Sequence, residues 1–191
     1  MFIGGCHFNE CHYITDGNFS ALGNVYILKK LMERIGLNPD RLRMENMSAG
    51  EGIRFAEVMT EFSRQVMDLG PLGKGEGIDE DTLKSRLETV INLVPYIRLV
   101  ERERLRVPVK KEEAYRTFFT SDEFNRVFDE TIGEKLAISQ IISMLREKPL
   151  TTGEIANALG LTPSEVSRHL NSSSRQRFVR FDEGLKRYAL A

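Results

Sequence analysis

The residues of this chain that could do metal or redox chemistry are concentrated near its beginning. Both cysteines, Cys6 and Cys11, and two of the three histidines, His7 and His12, fall within residues 4–13. Thiolate sulfur binds zinc and iron–sulfur clusters, and imidazole binds zinc and some iron centres. The segment therefore predicts a metal site, with Cys6 and Cys11 as its main candidate ligands.

Other interpretations of this segment stay open on the residues alone. A closed zinc site would need Cys6 and His7 to converge, although neighbours in an extended chain point to opposite sides. A catalytic Cys–His pair would need an orienting acid or an oxyanion hole, and no motif for either is evident. Two buried, reduced cysteines beside hydrogen-bonding histidines also fit. An iron–sulfur cluster takes four ligands, usually cysteine, so His7, His12, preceding residues or a second chain would complete it.

Composition sets broad limits on location and size. The chain has 191 residues, is 41% hydrophobic and 29% charged, and carries a net charge of -1. This length suits one medium domain or two small ones, and the net charge gives no reason to expect nucleic acid. No apolar run approaches the roughly 18 residues of a membrane span, and no secretory signal opens the chain. We expect a cytoplasmic protein without a membrane partner, because two cysteines beside histidines do not resemble an extracellular disulfide framework.

The elements that would position the cysteines are predicted over residues 1–69. Residues 2–3 read as the end of a buried strand, residues 19–35 carry a helical apolar stripe that Gly36 ends, and residues 42–47 suit a second strand. This order favours a parallel sheet with flanking helices. One or two strands cannot cover themselves, so this α/β half is predicted to be incomplete.

A second helix of this half is predicted to begin at a capping box formed by Ser48 and Glu51. Its apolar face is predicted to comprise Ile53, Ala56, Met59, Phe62 and Val66.

Residues 70–132 are predicted to be a glycine-rich linker and a helical connector. The linker, residues 70–77, lacks the spacing of a phosphate-binding loop and its ending, a lysine followed by serine or threonine. A charged helix is expected over residues 79–106, with Pro95 ending or kinking it. The aromatic side chains of residues 110–128 are interpreted as packing groups.

Residues 133–191 are predicted to form an α+β winged helix-turn-helix domain. An amphipathic helix is followed by two capping boxes, which begin at Thr151 and Thr162, and then by a hairpin over residues 178–188. Three helices followed by a β-wing give the winged-helix order.

The cysteine segment belongs to a longer series of motifs, which reads Gly5-Cys6-His7-x-x-x-Cys11-His12-Tyr13, then Gly17-Asn18, Arg41-x-Arg43 and Ser48-Ala49-x-Glu51-Gly52. Over about residues 2–69 this series resembles the delta subunit of methyl-viologen-reducing hydrogenase. Domains of that family occur in methanogens and other anaerobes, alone or fused to the A subunit of heterodisulfide reductase.

The resemblance implies an electron-transfer role in methanogenesis, within an oxidoreductase complex and without catalysis on this chain. A 2Fe–2S cluster of the family relays electrons from a hydrogenase or formate dehydrogenase to the flavin of a flavoprotein like the A subunit of heterodisulfide reductase. On this resemblance Cys6 and Cys11 are cluster ligands. The positions that would tune the cluster through hydrogen bonds are His7, His12, Tyr13 and Asn18.

Several positions depart from the family pattern. Family domains begin further upstream with additional cysteines, so we expect a split gene or a partial chain whose missing half another chain carries. Asn46 and Asn24 stand where the family has tryptophan and arginine, and the loop between Tyr13 and Gly17 is one residue longer. The connector and winged helix would then be a C-terminal extension.

A redox- or metal-responsive DNA-binding regulator is the alternative function. From Gly133 onward the chain has nine basic and six acidic residues, a modest excess. The candidate contacts to nucleic acid or a partner protein are Arg168, Asn171, Arg175 and Arg177, on or just after the predicted recognition helix. Because a winged helix also serves as a docking module, the family resemblance favours protein docking over DNA.

Overall fold

The structure is a computed structural model that describes residues 1–13 and 17–191. The predicted extra residue between Tyr13 and Gly17 lies outside the described residues. The chain forms two compact units, one of Met1–Leu83 with Glu103–Val127 and one of Lys84–Arg102 with Phe128–Ala191. The predicted domain limits of 1–69, 70–132 and 133–191 stay a prediction. In the described part of the chain, no helix is long and apolar enough to cross a membrane.

The first unit is built on a parallel pair of strands, as the sequence predicts. Strand β1 (Phe2–Gly5) pairs with β2 (Arg43–Asn46), in a register that sets Gly5 opposite Asn46. Helix α1 (Asn18–Arg34) connects them and buries the apolar stripe that includes Phe19, Leu22 and Leu31. Gly36 has a φ of +81°, the left-handed conformation that glycine adopts at a helix end, so the predicted stop is confirmed.

Helix α2 (Gly52–Asp68) differs from its prediction at both its start and its apolar face. Its first residue follows Glu51, and no side chain caps it, because a turn at residues 49–50 separates Ser48 from the helix. Phe62 is buried against Phe2, whereas Ile53 is 81% exposed. The predicted helix is therefore present, but the described residues bury only part of its predicted apolar face.

The glycine-rich segment folds around one buried arginine. Arg41 donates to both carboxylate oxygens of Glu76, at 2.5 Å from Nε and 3.1 Å from Nη2. It also donates to the carbonyls of Gly70 at 2.8 Å and Leu69 at 2.9 Å. Gly75 lies so close that a Cβ atom there would come 1.9 Å from the Leu69 carbonyl oxygen. This segment is therefore part of the first unit's packing.

Helix α3 (Glu80–Arg104) continues through Pro95 and does not end there. Proline removes one backbone hydrogen bond, to the carbonyl four residues earlier. That carbonyl belongs to Ile91, whose exposure of 65% places this position at the solvent. Water can therefore satisfy the carbonyl, and the helix tolerates the proline.

Helices α4 (Glu112–Phe119) and α5 (Asp122–Phe128) follow α3. The ring of Tyr115 lies 5.2 Å from that of Phe19, and Phe119 stacks on Tyr26 at 5.4 Å. A Cβ atom on Gly23 would approach the Phe119 ring to 3.1 Å, so this glycine lets α4 lie close to α1. The aromatic residues of this segment pack, as predicted.

The second unit contains helices α6 (Glu134–Glu147), α7 (Thr152–Leu159) and α8 (Pro163–Arg175), then strands β3 (Val179–Asp182) and β4 (Arg187–Leu190). The two strands pair antiparallel, and a π-helical segment, Asp129–Gly133, precedes α6. Thr151 and Thr162 form complete capping boxes, as predicted. The core joins the three helices to β3 through Ile141, Ile155, Val166, Leu170 and Val179. This order of elements is that of a winged helix.

Candidate functional site

Cys6 and Cys11 are brought together at the end of β1 and just before α1. Both are half-buried and reduced, and their thiols lie close enough for each to shift the pKa of the other. Hydrogen bonding from the backbone of Asn18 and Tyr13, and from the Cys6 thiol, lowers the pKa of Cys11. The hydrogen bond to Cys11 raises the pKa of Cys6. Cys11 is therefore the member of the pair that holds negative charge more readily.

Two asparagine side chains fix the backbone on which Cys6 sits. Asn18 Nδ2 donates to the carbonyl oxygens of Cys6 and His7, at 3.0 Å each. Asn46 Nδ2 donates to the Cys6 carbonyl oxygen at 2.7 Å. Asn18 is only 5% exposed, so the bonds it makes are shielded from water. The cysteine segment is tied in this way to both α1 and β2.

Gly17 is required by its closeness to Cys11. A Cβ atom at this position would lie 2.4 Å from the Cys11 sulfur and 2.2 Å from the Tyr13 carbonyl oxygen. Both distances are far below van der Waals contact, so any side chain here would displace the cysteine.

His7 is engaged by a carboxylate that sequence reasoning did not connect to it. Its Nε2 lies 2.6 Å from Glu51 Oε2, and the same oxygen accepts the Ser48 N–H at 2.6 Å. The Ser48 amide and the His7 imidazole lower the pKa of Glu51 to about 2. The bonded carboxylate sets the orientation of the imidazole. Ser48 and Glu51 both lie in the sequence motif, but only the fold brings them to His7.

His12 and Tyr13 lie at the surface of the first unit. Tyr13 is 70% exposed, and the two rings meet edge to face with centroids 5.3 Å apart. Within residues 1–13 and 17–191, no group of three or more His, Cys, Asp or Glu side chains could hold a metal ion. The described site consists of two adjacent thiols with their hydrogen-bond donors.

A cavity of about 180 Å³ opens beside Cys11. Its lining residues are Asn9, Cys11, Asn18, Phe19 and Lys110. Lys110 comes from the segment between α3 and α4, which no motif associates with the cysteines. Sequence reasoning therefore missed it, because no local pattern connects this segment with the cysteines.

Helix α8 presents a polar and basic face to solvent. An open groove of about 800 Å³ runs along it. The residues that line this groove include Arg168, Asn171 and Arg175 of the predicted contacts. Arg177 follows the helix with a φ of +61° and is not among the lining residues. The opposite face of α8 is buried and carries His169 and Ser173.

Comparison with known proteins identifies two separate segments. Residues 1–70 match the family described as methyl-viologen-reducing hydrogenase, delta subunit. The resemblance predicted from the motifs is thereby confirmed. Residues 139–179 match the bacterial regulatory protein, arsR family, which fits the winged-helix order of the second unit. No solved structure gives a significant match.

The relatives of the delta-subunit segment, residues 1–70, include proteins from several archaea. The iron-sulfur D subunit of the F420-non-reducing hydrogenase of Archaeoglobus profundus is 46% identical over 71 residues, which are 37% of this chain and 51% of the relative. The A subunit of the ferredoxin:CoB-CoM heterodisulfide reductase of Methanosarcina mazei is 44% identical over 73 residues, 38% of this chain and 9% of the relative. The chain spans about half the length of the hydrogenase relatives that it matches.

Proposed function

We propose that the first unit is one side of a 2Fe–2S electron-transfer site in which Cys6 and Cys11 bind one iron. The observation that carries this proposal is that the fold brings the two thiols close enough for each to shift the pKa of the other, on a backbone segment that Asn18 and Asn46 hold in place. Each iron of such a cluster takes two protein ligands, usually thiolates, so the pair matches half of the ligand set. When bound, the cluster would supply one-electron transfer.

The residues around the thiols suit that role. Hydrogen bonds to the ligand sulfurs contribute to the reduction potential of a cluster. The N–H groups that reach Cys11 would stabilise the more negative, reduced state. Asn18 and Asn46 hold the Cys6 carbonyl and so keep the ligand in place during electron transfer. A rigid site is favourable because little reorganisation then accompanies the change in charge.

The remaining ligands would come from protein outside the described residues, and a second chain is the source that we test. The names of the relatives suggest the partners, a hydrogenase as electron donor and a protein like the A subunit of heterodisulfide reductase as acceptor. No residue of β1 or β2 is fully buried, whereas parallel sheets occur almost only with both faces covered, and this supports an additional covering layer.

The test is anaerobic purification of the full chain alone and with its co-expressed partner proteins, followed by iron and sulfide analysis and visible spectra. We expect iron and sulfide in the complex, and their loss in Cys6→Ala and Cys11→Ala. Ser63→Ala, which shortens an exposed side chain of α2 by one polar atom in the same way, is the matched control and should retain the cluster. Visible spectra that are the same in wild type and both cysteine variants would refute the assignment.

A second candidate function is DNA binding by the second unit. The match to the arsR family and the basic face of α8 favour it. In a helix-turn-helix domain, the second helix of the motif contacts base edges in the major groove, where Arg168 and Asn171 would lie. Docking of a protein partner on the same face is the competing use of this surface.

A salt titration separates DNA binding from docking. If the unit binds DNA, affinity for a duplex should fall steeply with salt, and Arg168→Ala should weaken it. Arg146→Ala removes an exposed charge from α6 and is the control. Absence of binding at micromolar protein and low salt, or equal losses in both variants, would exclude specific use of α8 on DNA.

A further inference from the structure

We propose that Lys110 is an electrostatic positioning residue of the cysteine site, whose ammonium group attracts anionic groups at Cys11, including a cluster bound there. The part of this inference that concerns a cluster rests on the proposed function, and the part that concerns Cys11 itself does not. The observation is that Lys110 and Cys11 line the same cavity of about 180 Å³. Lys110 lies outside the delta-subunit segment, so the role belongs to the connector that follows it.

The segment that carries Lys110 is anchored on both sides. Leu105 and Val107, just before it, are 2% and 7% exposed. Tyr115, after it, is 5% exposed and packs against Phe19 of α1. These contacts place the half-buried Lys110 at the cavity.

The ammonium group is itself held in place. Lys110 Nζ donates to the Tyr115 hydroxyl at 2.7 Å. The same nitrogen lies 5.3 Å from the centre of the Tyr115 ring. This distance is expected for an atom that lies beyond the hydroxyl and not above the ring, so the contact is a hydrogen bond and not a cation–π contact. One bond leaves two of its three donors for other acceptors.

An acceptor is present in the same cavity. Asn18 lines it, and no described residue donates to the buried Asn18 Oδ1. The amide nitrogen of Asn18 is committed to the Cys6 and His7 carbonyls, so the oxygen keeps its orientation toward a donor. The cavity that Lys110 lines therefore also contains a residue with an unused neutral acceptor, Asn18, and a thiol that can carry negative charge, Cys11.

The experiment compares Lys110→Met with Lys111→Met. The second variant removes the same charge from the next residue, which is exposed and lines a different groove. Alkylation of Cys11 is followed by peptide mass spectrometry in the cluster-free full chain, with anionic iodoacetate and neutral iodoacetamide. Because both reagents consume the same thiolate, the ratio of their rates reports the local field and cancels thiol ionisation.

We expect Lys110→Met to lower the iodoacetate-to-iodoacetamide ratio by about three- to tenfold, the size of one partly screened charge nearby. Lys111→Met and Lys110→Arg should keep the wild-type ratio. An unchanged ratio in Lys110→Met, or an equal fall in Lys111→Met, overturns the proposal whether or not a cluster exists.

The loaded complex gives a second readout, the reduction potential from a spectroscopic redox titration. Removing the positive charge should lower the ratio of reduced to oxidised cluster at a fixed potential by about tenfold, which is 59 mV for a one-electron couple. An identical potential in Lys110→Met would overturn the cluster part of the proposal. Failure of every variant, wild type included, to hold iron would instead contradict the proposed function, and the alkylation ratio would then decide alone.

Discussion

Replacing Arg41 with methionine should destabilise the first unit strongly. The side chains of Arg41 and Glu76 are 7% and 10% exposed, so the substitution leaves a carboxylate in a site with little water. It also removes the donors to the Leu69 and Gly70 carbonyls. Loss of one partner of a buried ion pair costs about 3–5 kcal/mol. Glu76 keeps the N–H groups of Gly73 and Asn38, so we expect the lower end, about 3 kcal/mol.

Three comparisons isolate the cause. Arg43→Met removes an arginine that is 25% exposed and pairs with Glu45 and Glu61, so it should cost about 0–1 kcal/mol. Glu76→Gln combined with Arg41→Met should recover part of the loss, because no charge is then left buried. Lowering the pH should have a similar effect on Arg41→Met, since a protonated Glu76 needs no cation.

The sign of the pH effect follows from the pKa of Glu76, which its hydrogen bond to Arg41 lowers. The ion pair therefore stabilises the wild-type unit above the unfolded carboxyl pKa, about 4.3, and this stabilisation is lost as the pH falls through the folded value. The difference between wild type and Arg41→Met should be largest near pH 7 and smaller near pH 3. Urea unfolding, together with hydrogen exchange of residues 36–47, measures this difference in the free energy of unfolding. Equal costs for the Arg41 and Arg43 variants would refute the reasoning.

Three further predictions concern the cysteine site and α8. Gly17→Ala should abolish iron binding, because its Cβ atom would clash with Cys11. Gly52→Ala is the control, since a Cβ atom there has no neighbour within 4 Å, and iron analysis should show no loss. Burial lowers the pKa of His169, so wild type should lose stability as the pH falls below about 6.5, and His169→Gln should show less of this loss in thermal melts at pH 5 and 7. Thr162→Ala should cost about 1 kcal/mol in urea unfolding, because it removes the oxygen that accepts the Glu165 N–H at 3.3 Å.

Local features of this chain could be predicted from its sequence, and contacts between distant segments could not. The caps at Thr151 and Thr162 involve residues three positions apart, so their chemistry is complete within a short motif. Strand β2 and the stop at Gly36 follow in the same way from local patterns. The pairing of Arg41 with Glu76 links distant segments, and only the folded chain shows it.

The same distinction between local patterns and distant contacts holds for the candidate site. Cys6 and Cys11 could be named from their types and spacing, because few residues bind soft metals. The sequence predicts a pairing of Glu51 with Ser48, and the Glu51 carboxylate does accept the Ser48 N–H, but its contact with His7 is shown only by the fold. Lys110 has no distinctive neighbours in the sequence, and it reaches the site because Tyr115 packs on α1.

Three features of the first unit are explained together by an additional layer of protein. The thiols of Cys6 and Cys11 would supply half of the proposed ligand set, the parallel sheet of the described residues has two strands, and Ile53 of α2 is 81% exposed. Each of these features could have another explanation if it stood alone, since surface isoleucines are common and reduced thiols need no metal. One partner that extends the sheet, covers the helix and adds two thiolates would account for all three. In one titration with such a partner, Ile53 and both cysteines should become protected from solvent together. A partner that protects only the cysteines would contradict the idea that one additional layer explains all three features.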